Sequence, residues 1–303
     1  MNTLRGSTET GSEAVVDRID FRSQDGLYRM STAQARAENL PTNIMALLSA
    51  LSLKDSTKRS ELNRFIYDFF AEAVTAEATR AHKMIQMMHS CKILLRYYTQ
   101  NIDGIDDQLG IPRVDHAADP NGNEGQFVQL HGSVRWLKCT LCNWGEPLSN
   151  LWADKMRKTG SVLHCPVCPT ETRSGRPTKP GIVRTAVVLY DEEHVYGHSI
   201  SNCFDQDISQ KPDLLLVMGT SLSSIRSNSL IQLVSKISTA VHQSANGLSI
   251  FMNTAPPPPR TTRFFDYHLA GNLEDWSSVI LRKVSLLLSA TACWLDSCRN
   301  FAN

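Results

Sequence analysis

The chain has 303 residues, a formal net charge of +1, 42% hydrophobic residues and 20% charged residues. This length allows one large domain or two unequal ones, and the composition is typical of a soluble globular protein. Because positive and negative charges nearly balance, the molecule as a whole carries no strong field that would draw it to nucleic acid or to a membrane surface.

Neither a signal peptide nor a membrane-spanning helix is expected. Residues 1 to 18 are small and polar, which predicts a disordered segment without an apolar signal core. The longest apolar stretch, Val279 to Leu295, is interrupted by Arg282 and Lys283 and predicts an amphipathic C-terminal helix over 281–303. We therefore expect a protein inside the cell, where thiols stay reduced. Its eight cysteines are then expected to be metal ligands or buried thiols before disulfides.

The rest of the chain alternates between helical and extended patterns. Residues 32 to 92 are predicted to be helical, since their apolar side chains recur on one face. The run Ile93 to Tyr98 predicts a buried strand that leads directly into the polar Thr99-Gln100-Asn101. Three further apolar runs predict strands, namely Val187 to Tyr190, Leu214 to Met218 and Ser249 to Met252.

A repeated order of apolar run, small or polar turn and helical stretch is typical of an α/β domain with a parallel sheet. Ligands of such sheets bind beyond the carboxyl ends of the strands. Here those ends carry Gln100-Asn101, Gly219-Thr220-Ser221 and Asn253. The sequence therefore predicts that these polar groups line a ligand site.

Two Cys-x-x-Cys knuckles predict a zinc site. They are Cys139-Thr-Leu-Cys142 and Cys165-Pro-Val-Cys168, separated by 22 residues. Two such pairs complete a tetrahedron of sulfur ligands and leave no position for water or substrate, so the ion is expected to be structural. Free thiols and a redox pair are the alternatives. Four thiols in the segment 136–180, which has too few apolar residues for a core of its own, favour zinc.

Several motifs surround the knuckles in a fixed order. They are Asp20-Phe21-Arg22-Ser23, Thr99-Gln100-Asn101-Ile102-Asp103-Gly104, Gln129-Leu130-His131-Gly132-Ser133, Val187-Val188-Leu189-Tyr190-Asp191-Glu192, Met218-Gly219-Thr220-Ser221-Leu222 and Phe251-Met252-Asn253. In this order and spacing the chain resembles the sirtuins, over residues 19 to 280. Within that family it is most similar to the fungal nuclear branch that deacetylates histones, on the motifs 188–194, 211–222 and 265–268.

The resemblance implies a Rossmann-like NAD-binding domain over 19–135 and 181–280 with a zinc-binding module at 136–180. It implies an NAD-dependent protein-lysine deacetylase that transfers the acetyl group to ADP-ribose and releases nicotinamide. The implied cofactors are NAD and one structural zinc, and the implied partner is an acetylated protein peptide, from a histone tail or core. Chromatin association and the nucleus follow from the same resemblance, with the cytoplasm as the alternative. Binding to a membrane or to a specific nucleic-acid sequence is not expected.

The resemblance also implies roles for individual residues. His131 is implied as the general base, and an imidazole suits this role because its pKa lies near neutrality. Without the surrounding motif, a histidine after an apolar strand would more often be a core residue. Asn101 and Asp103 are implied beside it at the nicotinamide ribose, although such residues also favour a capping turn. The implied NAD contacts are Phe21, Arg22, Gln100, Asn101, Ile102, Asp103, Gly219, Thr220, Ser221 and Asn253.

The resemblance further implies that Val188, Leu189 and Tyr190 pair with the substrate peptide, which would add as a strand. A plain interior strand is the alternative interpretation of this segment. A zinc-ribbon nucleic-acid binder is disfavoured: the zinc spacer holds Lys155, Arg157 and Lys158, but the chain as a whole lacks a basic face.

The chain departs from the family pattern before Asp20. Sirtuins carry a Gly-Ala-Gly loop there that faces the NAD phosphates, whereas residues Gly11 to Ile19 contain no Gly-x-Gly. The backbone amides for the pyrophosphate and the first strand of the sheet are therefore expected to be missing, with weak NAD binding as the result. A truncated gene model and a degenerate member that binds without turnover are both open explanations.

Overall fold

The computed structural model describes residues 44–119, 124–159, 163–169, 175–176, 178–222 and 228–300. These residues form two compact units. The first unit contains residues 44–77, 98–108 and 127–197, and the second contains 78–97, 109–126 and the residues from 198 onward. The predicted disorder of residues 1–18, the proposed NAD contacts Phe21 and Arg22, and the segment that lacks Gly-x-Gly lie outside the described residues.

The first unit begins with helices that pack against Val187 and Leu189. These are α1 (Ile44–Leu47), a 3-10 helix (Ala50–Leu53) and α2 (Ser56–Thr75). Asp55 caps α2, since its side chain accepts a hydrogen bond from the Lys58 amide at 2.9 Å. The buried face of α2 joins one core cluster, whose larger members are Leu47, Leu62, Phe65, Ile66, Phe69, Val134, Val187 and Leu189.

The predicted zinc module, around the two cysteine knuckles, contains an antiparallel sheet and one helix. Its strands β3 (Trp136–Cys139), β4 (Gly145–Pro147) and β5 (Val183–Thr185) lie in the order β4-β3-β5, and the helix, here α4, spans Asn150–Thr159. Its core contains Leu137, Met156 and Val183 together with Phe70 of α2. This agrees with the expectation that segment 136–180 does not supply a whole core, because a ring from α2 completes it.

The second unit contains a three-stranded parallel sheet with helices. Strands β6 (Leu214–Met218), β7 (Leu248–Asn253) and β8 (Tyr267–Ala270) lie in that order, all parallel. The predicted strands at 214–218 and 249–252 are thus confirmed. Its helices are α3 (Arg80–Ser90), α5 (Gly197–Ser209), α6 (Asn228–His242), α7 (Leu273–Asn300) and a 3-10 helix (Thr262–Phe264). The predicted C-terminal helix therefore begins at Leu273 and not at residue 281.

Both faces of the parallel sheet are covered. Val217 and Phe251 pack with Val234 of α6 on one side. On the other side Met252 packs with Ala81 of α3 and Leu273 of α7. This layering of helices on a parallel sheet confirms the predicted α/β fold. Among the residues that the structure describes, no helix is both long and apolar enough to cross a membrane.

The strand predicted over Ile93 to Tyr98 is wrong at its start, because β1 spans only Tyr97–Thr99, where it pairs with β2 (Phe127–Gln129). Lys92 has φ +58°, and the amides of Lys92 and Ile93 donate to the carbonyls of His89 and Met88. These two bonds are the Schellman ending of a helix. Residues 92–93 therefore end α3, and the Ile93 side chain is 69% exposed.

The strand predicted over Val187 to Tyr190 is also wrong. The strand of this region is β5, at Val183–Thr185, and Tyr190 forms only an isolated bridge with Ser49. The reason is that irregular partners take the backbone groups of the segment. The Val187 carbonyl accepts from the Arg184 side chain, and the Leu189 amide donates to the Glu192 carboxylate.

Candidate functional site

The four predicted cysteines come together in one cluster. Their sulfur atoms all lie within 4.8 Å of one another. The Cys139–Cys168 and Cys142–Cys165 sulfur pairs are each 3.6 Å apart. A tetrahedral zinc site with Zn–S bonds of about 2.3 Å has sulfur–sulfur edges of about 3.8 Å. The donor set and its spacing therefore fit one zinc ion with no open coordination position.

The local backbone prepares Cys139 to act as a thiolate. The amides of Leu141 and Cys142 donate to its sulfur at 3.3 and 3.4 Å. Burial alone would raise the pKa of Cys139, but these hydrogen bonds lower it to about 7. The pKa of Cys142 rises instead, to about 12, because burial and the neighbouring sulfurs outweigh the hydrogen bond from the Trp144 amide. Without a cation, only Cys139 of these two thiols is thus poised to lose its proton, whereas a bound metal ion would deprotonate all four thiols as it takes them as ligands.

A contact that depends on a glycine shapes the same cluster. A Cβ atom at Gly181 would lie 2.3 Å from the Cys139 sulfur, so only glycine fits beside that ligand. The Cys165 amide donates to the Gly181 carbonyl at 2.8 Å. Gly181 therefore links the two knuckles through its backbone while leaving room for the sulfur.

His131 follows β2 in the first unit and is held by its neighbours' backbones. The Leu130 amide donates to the Thr99 carbonyl at 2.8 Å, and the Val188 amide donates to the His131 carbonyl at 2.9 Å. The next residue, Gly132, has φ +71°, a conformation that favours glycine. These contacts bring His131 together with the end of β1 and with segment 187–190.

The His131 ring is largely buried, and burial holds its pKa below the ordinary value while a hydrogen bond to the Gln100 backbone acts in the opposite direction. The structure thus places two of the predicted site residues, Gln100 and His131, against each other. A lowered pKa keeps the imidazole neutral near pH 7, which is the form that accepts a proton.

Asp103 has the capping role that remained open from the sequence. Its side chain accepts from the Ile105 amide at 2.9 Å, at the start of a 3-10 helix (Ile105–Leu109), and the residue is only 4% exposed. The Val134 amide donates to the Ile102 carbonyl at 2.8 Å. The backbone of the loop 101–103 is therefore fixed, while contacts of Asn101 and Asp103 with a ribose remain predictions.

Arg135 is a residue that the sequence did not indicate. Its guanidinium donates to the Asp103 carbonyl and to the Ala73 carbonyl, each at 2.8 Å, which ties the loop to α2. It also fills the space beside Gly104, where a Cβ atom would lie 2.4 Å from the Arg135 side chain. Only its position beside the Leu130-His131-Gly132 motif could have suggested a role.

In the second unit, the predicted NAD contacts lie at the carboxyl ends of β6 and β7. Met218 and Met252 are direct neighbours in the sheet, so the residues after them, Gly219 and Asn253, share one edge. Gly219 has φ +63°, and the Asn253 side-chain amide donates to the Thr220 carbonyl at 3.2 Å. An edge of small and polar residues at the carboxyl ends of parallel strands fits a ribose or a phosphate.

Segment 188–190 is already bonded within the first unit. The Tyr190 amide donates to the Leu48 carbonyl and the Ala50 amide donates to the Tyr190 carbonyl, both at 2.8 Å. Together with the bond from Val188 to His131 and the two bonds between Leu189 and Glu192, these contacts take five backbone groups of the segment. Pairing of 188–190 with a substrate peptide stays a prediction, and it would have to displace some of these bonds or use the remaining groups of the segment.

The model of the Sir2 family matches residues 11–225. Among curated proteins, the chain is 30% identical over 271 residues to the NAD-dependent histone deacetylase HST3 of Saccharomyces cerevisiae, which covers 85% of this chain and 60% of that protein. It is 27% identical over 273 residues to HST4 of the same yeast, with 86% and 70% covered. It is 31% identical over 176 residues to the NAD-dependent protein deacetylase sirtuin-3 of Mus musculus, with 58% and 42% covered.

Solved structures give the same fold. A Sir2 homologue mutant in complex with 2'-O-acetyl ADP ribose superposes with a TM-score of 0.61 at 22% identity, over 89% of this chain and 86% of that chain. The chain spans 60%, 56% and 42% of the length of three of the curated fungal relatives. Since the family model matches more than half of the chain, this protein belongs to the Sir2 family, the sirtuins.

Proposed function

We propose that the chain is an NAD-dependent protein-lysine deacetylase that acts on histones. The observation that carries the proposal is the setting of His131, a buried imidazole with a lowered pKa held between the loop after β1 and segment 187–190. The names of its fungal relatives, NAD-dependent histone deacetylases, support the same activity and substrate.

In the proposed reaction, bound NAD would supply a ribose carbon whose bond to nicotinamide breaks as its bond to the acetyl oxygen forms. His131 would accept a proton from a ribose hydroxyl, which then attacks the acetyl carbon. One water molecule is consumed as the C–N bond to lysine breaks, so that the free lysine amine and acetyl-ADP-ribose are the products. Asn101 and Asp103 are proposed to act beside His131, and the hydrogen bonds that hold the backbone of their loop support this proposal. The NAD contacts that we propose are Phe21, Arg22, Gln100, Asn101, Ile102, Asp103, Gly219, Thr220, Ser221 and Asn253. Val188, Leu189 and Tyr190 are proposed to contact the peptide.

The zinc ion is proposed to have a structural role. All four sulfurs would be ligands, so the ion has no position for substrate. It would hold the turn between β3 and β4 to the knuckle at 165–168. We also propose the domain boundaries inferred from the sequence, with the NAD-binding domain at 19–135 and 181–280, the zinc module at 136–180 and a C-terminal helix.

The proposed partner is an acetylated histone peptide on chromatin, and the proposed location is the nucleus. Both rest on the likeness to fungal histone deacetylases. The nearly balanced charge of the chain supports recognition of a peptide over sequence-specific recognition of nucleic acid. No membrane association is proposed.

A second candidate is an impaired member that binds acetylated peptide without turnover. The absence of Gly-x-Gly between Gly11 and Ile19 favours it. The two candidates are separated by incubating the 303-residue chain with NAD and an acetylated histone peptide and analysing the products by mass spectrometry. Acetyl-ADP-ribose supports the deacetylase. Peptide binding without this product supports the impaired member. If the chain shows no peptide binding and forms no product, both candidates are contradicted.

A further inference from the structure

Glu192 connects the zinc-module sheet with segment 187–189 of the same unit. One carboxylate oxygen accepts from the Leu189 amide at 3.0 Å. The other forms ion pairs with Arg184 and, at 3.4 Å, with Lys138. The Glu192 side chain is 22% exposed and that of Arg184 only 7%, so these charges are largely shielded from water. A shielded, charge-assisted contact of this kind is stronger than an exposed ion pair.

The two cations that contact Glu192 belong to the strands of the zinc module. Lys138 on β3 and Arg184 on β5 are direct neighbours across the antiparallel pair. Lys138 immediately precedes the zinc ligand Cys139. Arg184 also donates to the Val187 carbonyl at 2.9 Å. The position of these two side chains is therefore tied to the strand that carries the first cysteine.

The other end of the connection reaches His131. Glu192 fixes the Leu189 amide, and its own amide donates to the Leu189 carbonyl at 3.2 Å. The adjacent Val188 amide donates to the His131 carbonyl at 2.9 Å. The path from zinc module to His131 thus runs through one carboxylate and two neighbouring residues of the chain.

We propose that Glu192 is a positioning residue for His131, through which the zinc-module sheet holds the histidine backbone in place. The inference rests on the proposed function for its catalytic meaning. Removing the carboxylate leaves Arg184 and Lys138 as close cations without their shared anion, which is costly for partly buried charges. It also removes the charged acceptor of the Leu189 amide. Segment 187–189 would then shift and admit water to the His131 ring.

The decisive test is the titration of His131, followed by NMR on histidine-labelled protein with zinc bound. The His131 signal is assigned by comparison with His131→Asn. In Glu192→Gln the carboxylate is lost at nearly constant shape, and the His131 pKa is expected to rise toward the ordinary value of about 6.5. The matched control is Glu193→Gln, because Glu193 is the exposed neighbour. An unchanged His131 pKa in folded Glu192→Gln would overturn the proposal.

Glu192→Asp keeps the experiment decisive if Glu192→Gln does not fold. Aspartate keeps the charge but is too short to reach the Leu189 amide and Arg184 together. A rise of the His131 pKa in Glu192→Asp supports the proposal, and a pKa equal to that of the unaltered protein contradicts it.

A second readout is the rate of deacetylation. Displacement of a catalytic group by a distant change can cost about a hundredfold. We expect kcat of Glu192→Gln to fall by about tenfold to a hundredfold with the zinc content unchanged, and Glu193→Gln to match the unaltered protein. If the unaltered chain shows no NAD-dependent deacetylation, the proposed function fails, whereas the NMR titration still decides whether Glu192 positions His131.

Discussion

Gly132 and Ala186 lie so close that no side chain fits between them. A Cβ atom at Gly132 would be 1.9 Å from the Ala186 carbonyl oxygen, and Gly132 has φ +71°. Ala186 in turn bonds back to the zinc-module sheet, since its amide donates to the Trp136 carbonyl at 2.7 Å. Gly132 therefore packs directly against Ala186, the residue that follows β5. We expect a larger side chain at position 132 to displace the neighbouring His131.

Gly132→Ala is expected to displace His131 and destabilise the fold. The backbone conformation alone costs about 1–2 kcal/mol for an L-residue, and the clash with a backbone oxygen adds to it. Gly110→Ala is the matched control, because Gly110 has φ +68° but nothing within 4 Å of the added methyl group. Thermal unfolding and deacetylation of both variants are compared. Equal losses in the two would show that the contact with Ala186 does not matter.

Each zinc ligand is expected to be required for metal binding. Elemental analysis of the unaltered protein should give one zinc per chain, and Cys165→Ser should lose the metal and the packing of Leu137 and Met156. Cys91→Ser serves as the control, because Cys91 is a free cysteine outside the cluster. Full zinc content in folded Cys165→Ser would contradict the assignment.

The ion pair of Arg96 and Asp207 is expected to stabilise the second unit. The single N–H at Arg96 Nε is shared between the two Asp207 carboxylate oxygens at 3.1 Å, and one terminal nitrogen donates to the same carboxylate at 2.9 Å. The other terminal nitrogen donates to the Gly125 carbonyl at 2.6 Å. Both side chains are at most 6% exposed. Arg96→Met removes the cationic partner of a buried carboxylate, which costs about 3–5 kcal/mol. Denaturant unfolding measures the loss, with exposed Lys83→Met as the control; an equal loss in both contradicts it.

The dependence of activity on pH should reflect the lowered pKa of His131. As a general base the imidazole must be neutral, so kcat/KM should rise with pH through the His131 pKa and level off below neutrality. His131 binds its proton more tightly in the unfolded state than in the folded state. Its contribution to the free energy of unfolding is therefore present above about pH 6.5 and is lost as the pH falls through the pKa of His131 in the folded state. A pH profile of kcat/KM measures this. A midpoint of the acid limb at or above about 6.5 contradicts the buried setting of His131.

The sequence predicted the elements that depend on residues close together in the chain, namely the buried strands and the cysteine knuckles. The runs at 214–218 and 249–252 became β6 and β7 because both strands are covered on two faces, and the two knuckles met because Cys-x-x-Cys spacing fixes its own turn. The segment 187–190 is equally apolar, but its backbone bonds to Arg184, Glu192 and distant loop residues. No pattern in the sequence predicts these hydrogen-bond partners.

The candidate site likewise combines a local motif, which the sequence reveals, with contacts between distant residues, which it does not. The motif around His131 predicts the histidine as a site residue, which stays a prediction, but the side chains that support this region were missed. Arg135 reaches the carbonyl of Ala73, 62 positions away, and Lys138 meets Glu192 across 54 positions. The ending of α3 was missed because Lys92 adopts the left-handed conformation where glycine is usual. Contacts between residues far apart in the sequence require the folded structure.

The proposed deacetylase is tested most directly by the stoichiometry of its products. With NAD and an acetylated histone peptide, we expect one nicotinamide and one acetyl-ADP-ribose for each acetyl-lysine lost. His131→Ala should lower the rate by a factor of about 10² to 10⁴ while fold and zinc content are kept. His198→Ala, which alters an exposed histidine of α5, should leave it unchanged. Loss of acetyl groups without NAD, or an unaltered rate in His131→Ala, would contradict the account.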